Sequence, residues 1–210
     1  MSYWFRCIFS VLGLLISLFS FTNCSGDATF VTRWEVPDSC VLSFPAQGKL
    51  RFRWRLIGEE FGEWEETEIK HGEVIGIALN SAGVYDIEVQ PNGLERFQMV
   101  IGDDLLHEKT LLYDSLYVVG SNDYLREVVR WGDVKWHSMR LAFATCASLH
   151  IAPDAGVPNL SDCEDCAAIF YKCSDLDADL HTWKVKNVKI WTDAFSFCPK
   201  MSAERQPLFQ

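Results

Sequence analysis

Positive charge is scarce in this sequence. Nineteen Lys and Arg stand against 29 Asp and Glu, for a formal net charge of −10. So acidic a chain has no electrostatic footprint for nucleic acid, and charge alone would not draw it to an anionic membrane. The short signatures of familiar catalytic machinery are missing too. There is no G-x-S-x-G, no H-E-x-x-H and no glycine-rich phosphate loop, and histidines 71, 107, 137, 150 and 181 are scattered. A spatial triad needs no sequence proximity, so this argues against catalysis only at the level of motifs. Long apolar runs are lacking as well. The longest, residues 7–21, is 15 residues, short of the ~20 a membrane-spanning helix needs.

That run has the length of a signal-peptide core. Arg6 is the only charge before it, and Thr22, Asn23 and Cys24 follow it. The pattern predicts a signal peptide over 1–23 and a linker over 24–29. Cys24, followed by Ser25, Gly26 and Asp27, resembles a bacterial lipoprotein signal. The resemblance implies cleavage before Cys24 and lipidation of its thiol, with an ordinary secreted form or an uncleaved anchor as alternatives. It places the protein outside the cytoplasm, at the outer membrane or cell surface, and touching the membrane only through the lipid.

Residues 30–101 show no helical period. Leu50-Arg51-Phe52-Arg53-Trp54-Arg55-Leu56 alternates strictly between apolar and basic, and Val84-Tyr85-Asp86-Ile87-Glu88-Val89 nearly so. Alternation marks strands with one buried face. Runs at 30–36, 41–44, 74–79 and 94–101 add further strands. Turn signals such as Pro45-Ala46-Gln47-Gly48, Asn80-Ser81-Ala82-Gly83 and Gln90-Pro91-Asn92-Gly93 separate them. Six or seven short strands predict a small antiparallel β-sandwich over 30–101. Residues 102–125 read as a connector or cap.

The last third of the chain repeats. Phe143, Phe170 and Phe195 stand 27 and 25 residues apart, and each is followed three residues later by Cys146, Cys173 or Cys198. Four before each Phe are Met139, Cys166 and Trp191, seven before are Trp136, Cys163 and Val188, and twelve before are Trp131, Pro158 and Trp183. A period of this length with fixed apolar positions predicts a solenoid over 126–205, each coil burying its face by stacking on the next. These positions are its expected core. A strand is expected near Val134, Leu160 and Val188, then a short helix ending close to each Phe.

The lines WGDVKWHSMRLAFATCASL, PNLSDCEDCAAIFYKCSDL and DLHTWKVKNVKIWTDAFSFCPKM resemble the BspA-type leucine-rich-repeat surface proteins. Cys163 and Cys166 replace the usual Val and Met of that pattern, and Pro158 the usual Trp. The segment Ala82-Gly83-Val84-Tyr85-Asp86-Ile87-Glu88-Val89 is similar to a strand of PKD-like sandwiches, which often precede such repeats. The resemblance implies a PKD/Ig-like β-sandwich followed by a short α/β leucine-rich-repeat solenoid, and a secreted or surface-attached binding protein. It implies no catalytic residues.

Three constellations carry possible chemistry. Cys163-Glu164-Asp165-Cys166 has redox or zinc spacing, yet both cysteines fall on core positions of the repeat and no second paired cluster exists. They read as core, with a Cys173–Cys198 bridge as an option in an exported chain. Asp175, Asp177 and Asp179 open like a calcium loop, but Leu180 and Lys186 stand where Gly and Glu are needed. Finally, residues 59–68 form an acidic segment holding Phe61 and Trp64. They read as a hairpin whose acids face Arg51, Arg53 and Arg55, or as a contact loop with Phe61 and Trp64 as anchors.

The sequence thus predicts a surface binding or adhesion protein, non-catalytic and without metal or cofactor, presenting its repeats to a protein or glycan partner. An envelope glycan hydrolase with carboxylates between the domains, or a degenerate structural repeat protein, are the alternatives.

Overall fold

The computed structural model describes residues 28–101 and 117–209. The signal-peptide reading, Cys24 and most of the expected connector lie outside them. Among the described residues the strands run β1 (Phe30–Val36), β2 (Cys40–Phe44), β3 (Ala46–Leu56), β4 (Glu65–Ile69), β5 (Ile75–Leu79) and β6 (Gly83–Val89). They continue with β7 (Leu94–Phe97), β8 (Val100–Ile101), β9 (Tyr117–Val118), β10 (Leu125–Arg130) and β11 (His150–Ile151). The fold is β-rich, and no α-helix occurs among these residues.

The main sheet has the order β11-β10-β1-β6-β3-β4, with β7 also pairing β3, and β2 and β5 form a second, two-stranded sheet. All these pairs are antiparallel except β10–β11. The alternation read from β3 is realised. Leu50 and Phe52 are buried, and Trp54 and Leu56 pack half-buried on the same core. Opposite them, Leu42, Phe44, Ile75, Ile77 and Leu79 of the small sheet close the core.

The other face of the main sheet is polar and nonetheless closed. Asp86 and Glu88 on β6 are 2% and 7% exposed. Asp86 accepts from Arg33 of β1 at 2.9 Å and Arg55 of β3 at 3.3 Å, while Glu88 accepts from Arg53 at 2.7 Å and Arg130 of β10 at 3.1 Å. Strand register sets Arg33 and Arg55 directly across from Asp86, and Arg53 across from Glu88, where opposite charges on neighbouring strands attract. The hydrogen bond with Asp86 also holds the Arg33 guanidinium above its ordinary pKa.

After β10 the chain makes three stacked tiers, residues 131–157, 158–182 and 183–201. The amides of Met139, Leu141, Phe143 and Thr145 donate to the carbonyls of Asp165, Ala167, Ile169 and Tyr171 at 2.6–2.9 Å. Those of Cys166, Ala168, Phe170 and Lys172 donate to Ile190, Thr192, Ala194 and Ser196 at 2.8–2.9 Å. Every second amide therefore points to the next tier, in the register that the three phenylalanines predict. Intervening amides close tight turns, as from Ala142 to the Met139 carbonyl.

The short helix expected before each Phe is not formed. Its place holds turns with positive φ at equivalent non-glycine residues: Leu141, Ala168 and Asp193, then Thr145, Lys172 and Phe197, at 51–66°. A left-handed residue ends any right-handed run, and amides that would bond back within a helix are spent on the next tier. The expected strands near Val134, Leu160 and Val188 shrink to single parallel bridges, Lys135–Asn159, Ser138–Asp165 and Asp165–Ile190. Left-handed backbone costs an L-residue about 1 kcal/mol, which glycine avoids. Lys172 is exposed, so Lys172→Gly is expected to stabilise the protein by about 0.5–1 kcal/mol in urea denaturation. A loss of stability there would contradict this account of the turns.

The expected repeat core is buried at Trp131, Trp136, Met139, Phe143, Cys146, Cys163, Cys166, Phe170, Cys173, Trp183, Val188 and Cys198. Two positions differ. Trp191 is 37% exposed and Phe195 only half-buried, because they belong to the third tier and no further tier among the described residues lies on them. The end segment roofs them in part: Phe209 stacks on Trp191 with ring centres 5.4 Å apart.

Sheets and tiers share one core. Phe30 of β1 lies 6.1 Å from Trp131 and 5.3 Å from Trp136, and Phe97 of β7 lies 5.2 Å from Phe143. The boundary expected between a connector ending at 125 and repeats from 126 falls inside hydrogen-bonded structure, since β10 pairs with β1 and carries β11 of the first tier on its far side.

Candidate functional site: a polar groove where sheet and tiers meet

The start of β3, the end of β4 and β7 face the first residues of tiers 1 and 2 across a groove. Two adjoining cavities of about 760 and 740 Å³ make it up, with Glu95 and His137 lining both. Gly48 and Gly93 make its floor possible. A Cβ on Gly48 would sit 2.1 Å from the Gly93 carbonyl, one on Gly93 2.0 Å from that of Lys49, and both have positive φ. Only glycine lets β3 and the turn before β7 come so close. The opposite wall is held by the Trp136 amide, which donates to Asn159, and by a pair of hydrogen bonds between Ala28 and Asp133.

The lining is polar. From the sheet come Gln47, Lys49, Glu68, Lys70, His71, Asn92, Glu95 and Arg96, and from the tiers Asp133, Lys135, His137, Ser138 and Asn159. Lys49, Lys70, Arg96 and Lys135 against Glu68, Glu95 and Asp133 make four cations to three acids. Over the whole chain the balance is 19 to 29, so the groove is locally cationic. Arg33, Arg51, Arg53, Arg55, Arg126, Arg130, Arg140 and Arg205 each pair with a carboxylate. Arg96 alone among the described arginines does not.

A hydrogen-bond conflict sits beside it. The Nδ1 of His71 lies 3.3 Å from both the Gln47 Oε1 and the Arg96 Nη1, and Arg96 Nη1 also reaches Gln98 Oε1 at 3.4 Å. One ring nitrogen is donor or acceptor, not both. With its proton it serves Gln47, and Arg96 loses that contact. Without it, it accepts from Arg96, and Gln47 loses its donor. Gln47 is 3% exposed, and its Nε2 is buried with no partner among the described residues. Buried polar groups are nearly always satisfied, so the Gln47 Nε2 is an exception among the described residues.

No family model, curated protein or solved structure matches the chain. Geometry therefore carries the functional reading.

The segments singled out from the sequence lie elsewhere. Phe61 and Trp64 are half-buried on the polar face of the sheet, Trp64 over Arg53 at 4.2 Å and Phe61 over Arg53 and Arg55 at 4.6 and 4.4 Å. Of the three arginines only Arg51 pairs with an acid of residues 59–68, Glu66, 3.4 Å away. Arg53 and Arg55 turn to the acids of β6, because those acids are buried and the ones at 59–68 are solvated. Phe61 and Trp64 thus shield guanidiniums and are occupied as cation–π partners.

Cys163 and Cys166 are buried with their sulfurs 3.7 Å apart and unbridged. The hydrogen bond from the Cys166 thiol lowers the pKa of Cys163 and raises that of Cys166. Cys173 donates to the Phe143 carbonyl at 3.0 Å and Cys198 to that of Phe170 at 2.9 Å, both thiols free. Burial pushes Cys146 and Cys173 well above the ordinary thiol pKa and Cys198 above it, which suppresses the reactive thiolate. Asp175, Asp177 and Asp179 each meet a separate side chain: Lys200 at 2.7 Å, Arg205, and the His181 ring at 2.5 Å. Among the described residues no cluster of three or more His, Cys, Asp or Glu could hold a metal ion, and no helix is long and apolar enough to cross a membrane.

Proposed function

We propose that the protein is an exported, non-catalytic binding protein of the cell surface, and that the groove takes a glycan. In this reading the three tiers are coils of a BspA-type leucine-rich-repeat solenoid, the antiparallel sheets are its PKD-like sandwich, and Cys24 carries the lipid anchor. The observation that carries it is the groove itself. Each of its two cavities, at about 760 and 740 Å³, lies within the roughly 300–1,000 Å³ of ligand sites, and the lining is mostly side chains that pair with hydroxyls.

The rival reading, a glycan hydrolase, draws support from Glu68, Glu95 and Asp133 in the same groove. All three are exposed. A general acid needs a desolvated carboxyl that keeps its proton near neutral pH, so binding accounts better for this set.

The test is retention of the full chain on immobilised galactan, dextran, polygalacturonate and chondroitin sulfate. His137 and Asn159 are exposed on the wall, and each charge-neutral hydrogen bond contributes about 0.5–1.5 kcal/mol. The double variant His137→Ala/Asn159→Ala is expected to weaken binding about tenfold, with only the small fall in melting temperature that losing the exposed bond from the Ser161 amide to Asn159 Oδ1 brings. Retention equal to that of the parent chain would move the ligand out of the groove. Hydrolysis of any of the four polymers would favour the enzyme.

A further inference from the structure

We infer that the ligand is an acidic saccharide, its carboxylate gripped by Arg96. This rests on the groove being a glycan site and goes further by naming the charge it reads. Arg96 is the starting point. A guanidinium presents a planar fork of N–H donors that matches a carboxylate two-to-two. The other described arginines spend that fork on an acid of the protein. Among the described residues Arg96 holds only a 3.3 Å contact to a ring nitrogen and a 3.4 Å contact to an amide oxygen, both at the long end of hydrogen bonding.

An arriving carboxylate resolves the local conflict. Once it takes the Arg96 donors, His71 Nδ1 no longer has to accept from Arg96 and can donate to Gln47 Oε1. Lys49 and Lys70 line the same cavity and add attraction without a fixed geometry. The remaining length of the groove favours a sugar chain over a peptide. Asn92, Asp133, His137 and Asn159 line it, and amide, carboxylate and imidazole groups suit the donor-and-acceptor character of hydroxyls. A peptide would draw its affinity from large apolar or aromatic side chains in fitted pockets. The apolar lining here is confined to Ile69, Pro91, Leu94 and Val157.

Calorimetric titration of the full chain with trigalacturonate, its trimethyl ester and galactotriose separates charge from shape. Trigalacturonate is expected to bind at least tenfold more tightly than either neutral probe. Arg96→Gln should bring it down to their level, and Arg96→Lys, which keeps charge and loses the fork, should fall between. Arg96 pairs with no carboxylate among the described residues, so its replacement strands no acid, and an unchanged melting temperature checks that. Equal affinity for all three probes, or unchanged trigalacturonate affinity in Arg96→Gln, overturns the inference. If the neutral probes still bind and His137→Ala/Asn159→Ala still weakens them, the glycan reading survives that failure. No binding by any probe overturns the inference as well.

Discussion

Phe170→Ala is expected to destabilise the protein by about 3–5 kcal/mol, the range for removing a buried aromatic ring. Phe170 is fully buried in the middle tier. Its ring stacks on Phe143 at 5.5 Å and Phe195 at 5.6 Å, and lies 6.0 Å from Trp183. Collapse into the vacancy would have to shift tiers that are pinned by backbone hydrogen bonds on both sides, so much of the cavity should persist. In a domain of this size each kcal/mol moves the melting temperature by about 2–4 °C, so a fall of roughly 6–20 °C is expected. Phe195→Ala is the comparison. Phe195 holds the same repeat position but is half-buried, and the loss should be less than half as large. Equal losses at the two positions would mean that the stack is not ordered from a dry middle to a wet end.

Asp86→Ala should cost about 2–4 kcal/mol, through charge and not volume. Its carboxylate is 3% exposed and holds Arg33 and Arg55 from the two flanking strands. Without it the two guanidiniums face each other across β6 with no acid between them. Arg33 keeps Glu127 at 2.8 Å, whereas the Nε of Arg55 is already buried with no hydrogen-bond partner among the described residues, so Arg55 bears most of the loss. Both arginines are about one-third exposed, and solvent lowers the cost below that of a fully buried pair. Urea denaturation of Asp86→Ala, Asp86→Asn and Asp86→Ala/Arg55→Leu tells charge from packing. The third variant removes the stranded cation and should recover part of the loss. A double variant less stable than Asp86→Ala would assign the cost to lost packing.

Much of the scaffold was legible in the chain. Leu50, Phe52, Trp54 and Leu56 announced one face of β3 by alternation, since side chains in a strand take opposite faces in turn. The three phenylalanines set a register that the inter-tier hydrogen bonds obey, because equivalent apolar positions can be buried together only when tiers stack in phase. The missing helices were not legible. Leu141, Thr145, Ala168 and Lys172 are ordinary helix-compatible types, and no glycine marks their left-handed backbone. The bonds that stabilise that backbone go to a neighbouring tier and leave no trace in local propensity. Nor could the acidic stretch at 59–68 reveal that Arg53 and Arg55 would choose β6. Attraction between ions strengthens with burial, and burial is a property of the assembled sheet.

The candidate site was the least legible part. Its members run from Gln47 to Asn159, and no two walls of the groove share a local pattern. His71 and His137 were two of five scattered histidines, and Arg96 looked like one more basic residue on a strand. By itself, then, the sequence determined the β-rich character, the phase of the tiers and the residues that fill the core, because periodicity dictates which side chains can leave water together. Only the tertiary structure decided that sheet and tiers share one core, that Trp191 at the last tier stays partly wet, and that Arg96 meets no acid among the described residues. Each of those depends on what a residue meets across space, and separation along the chain carries no record of it.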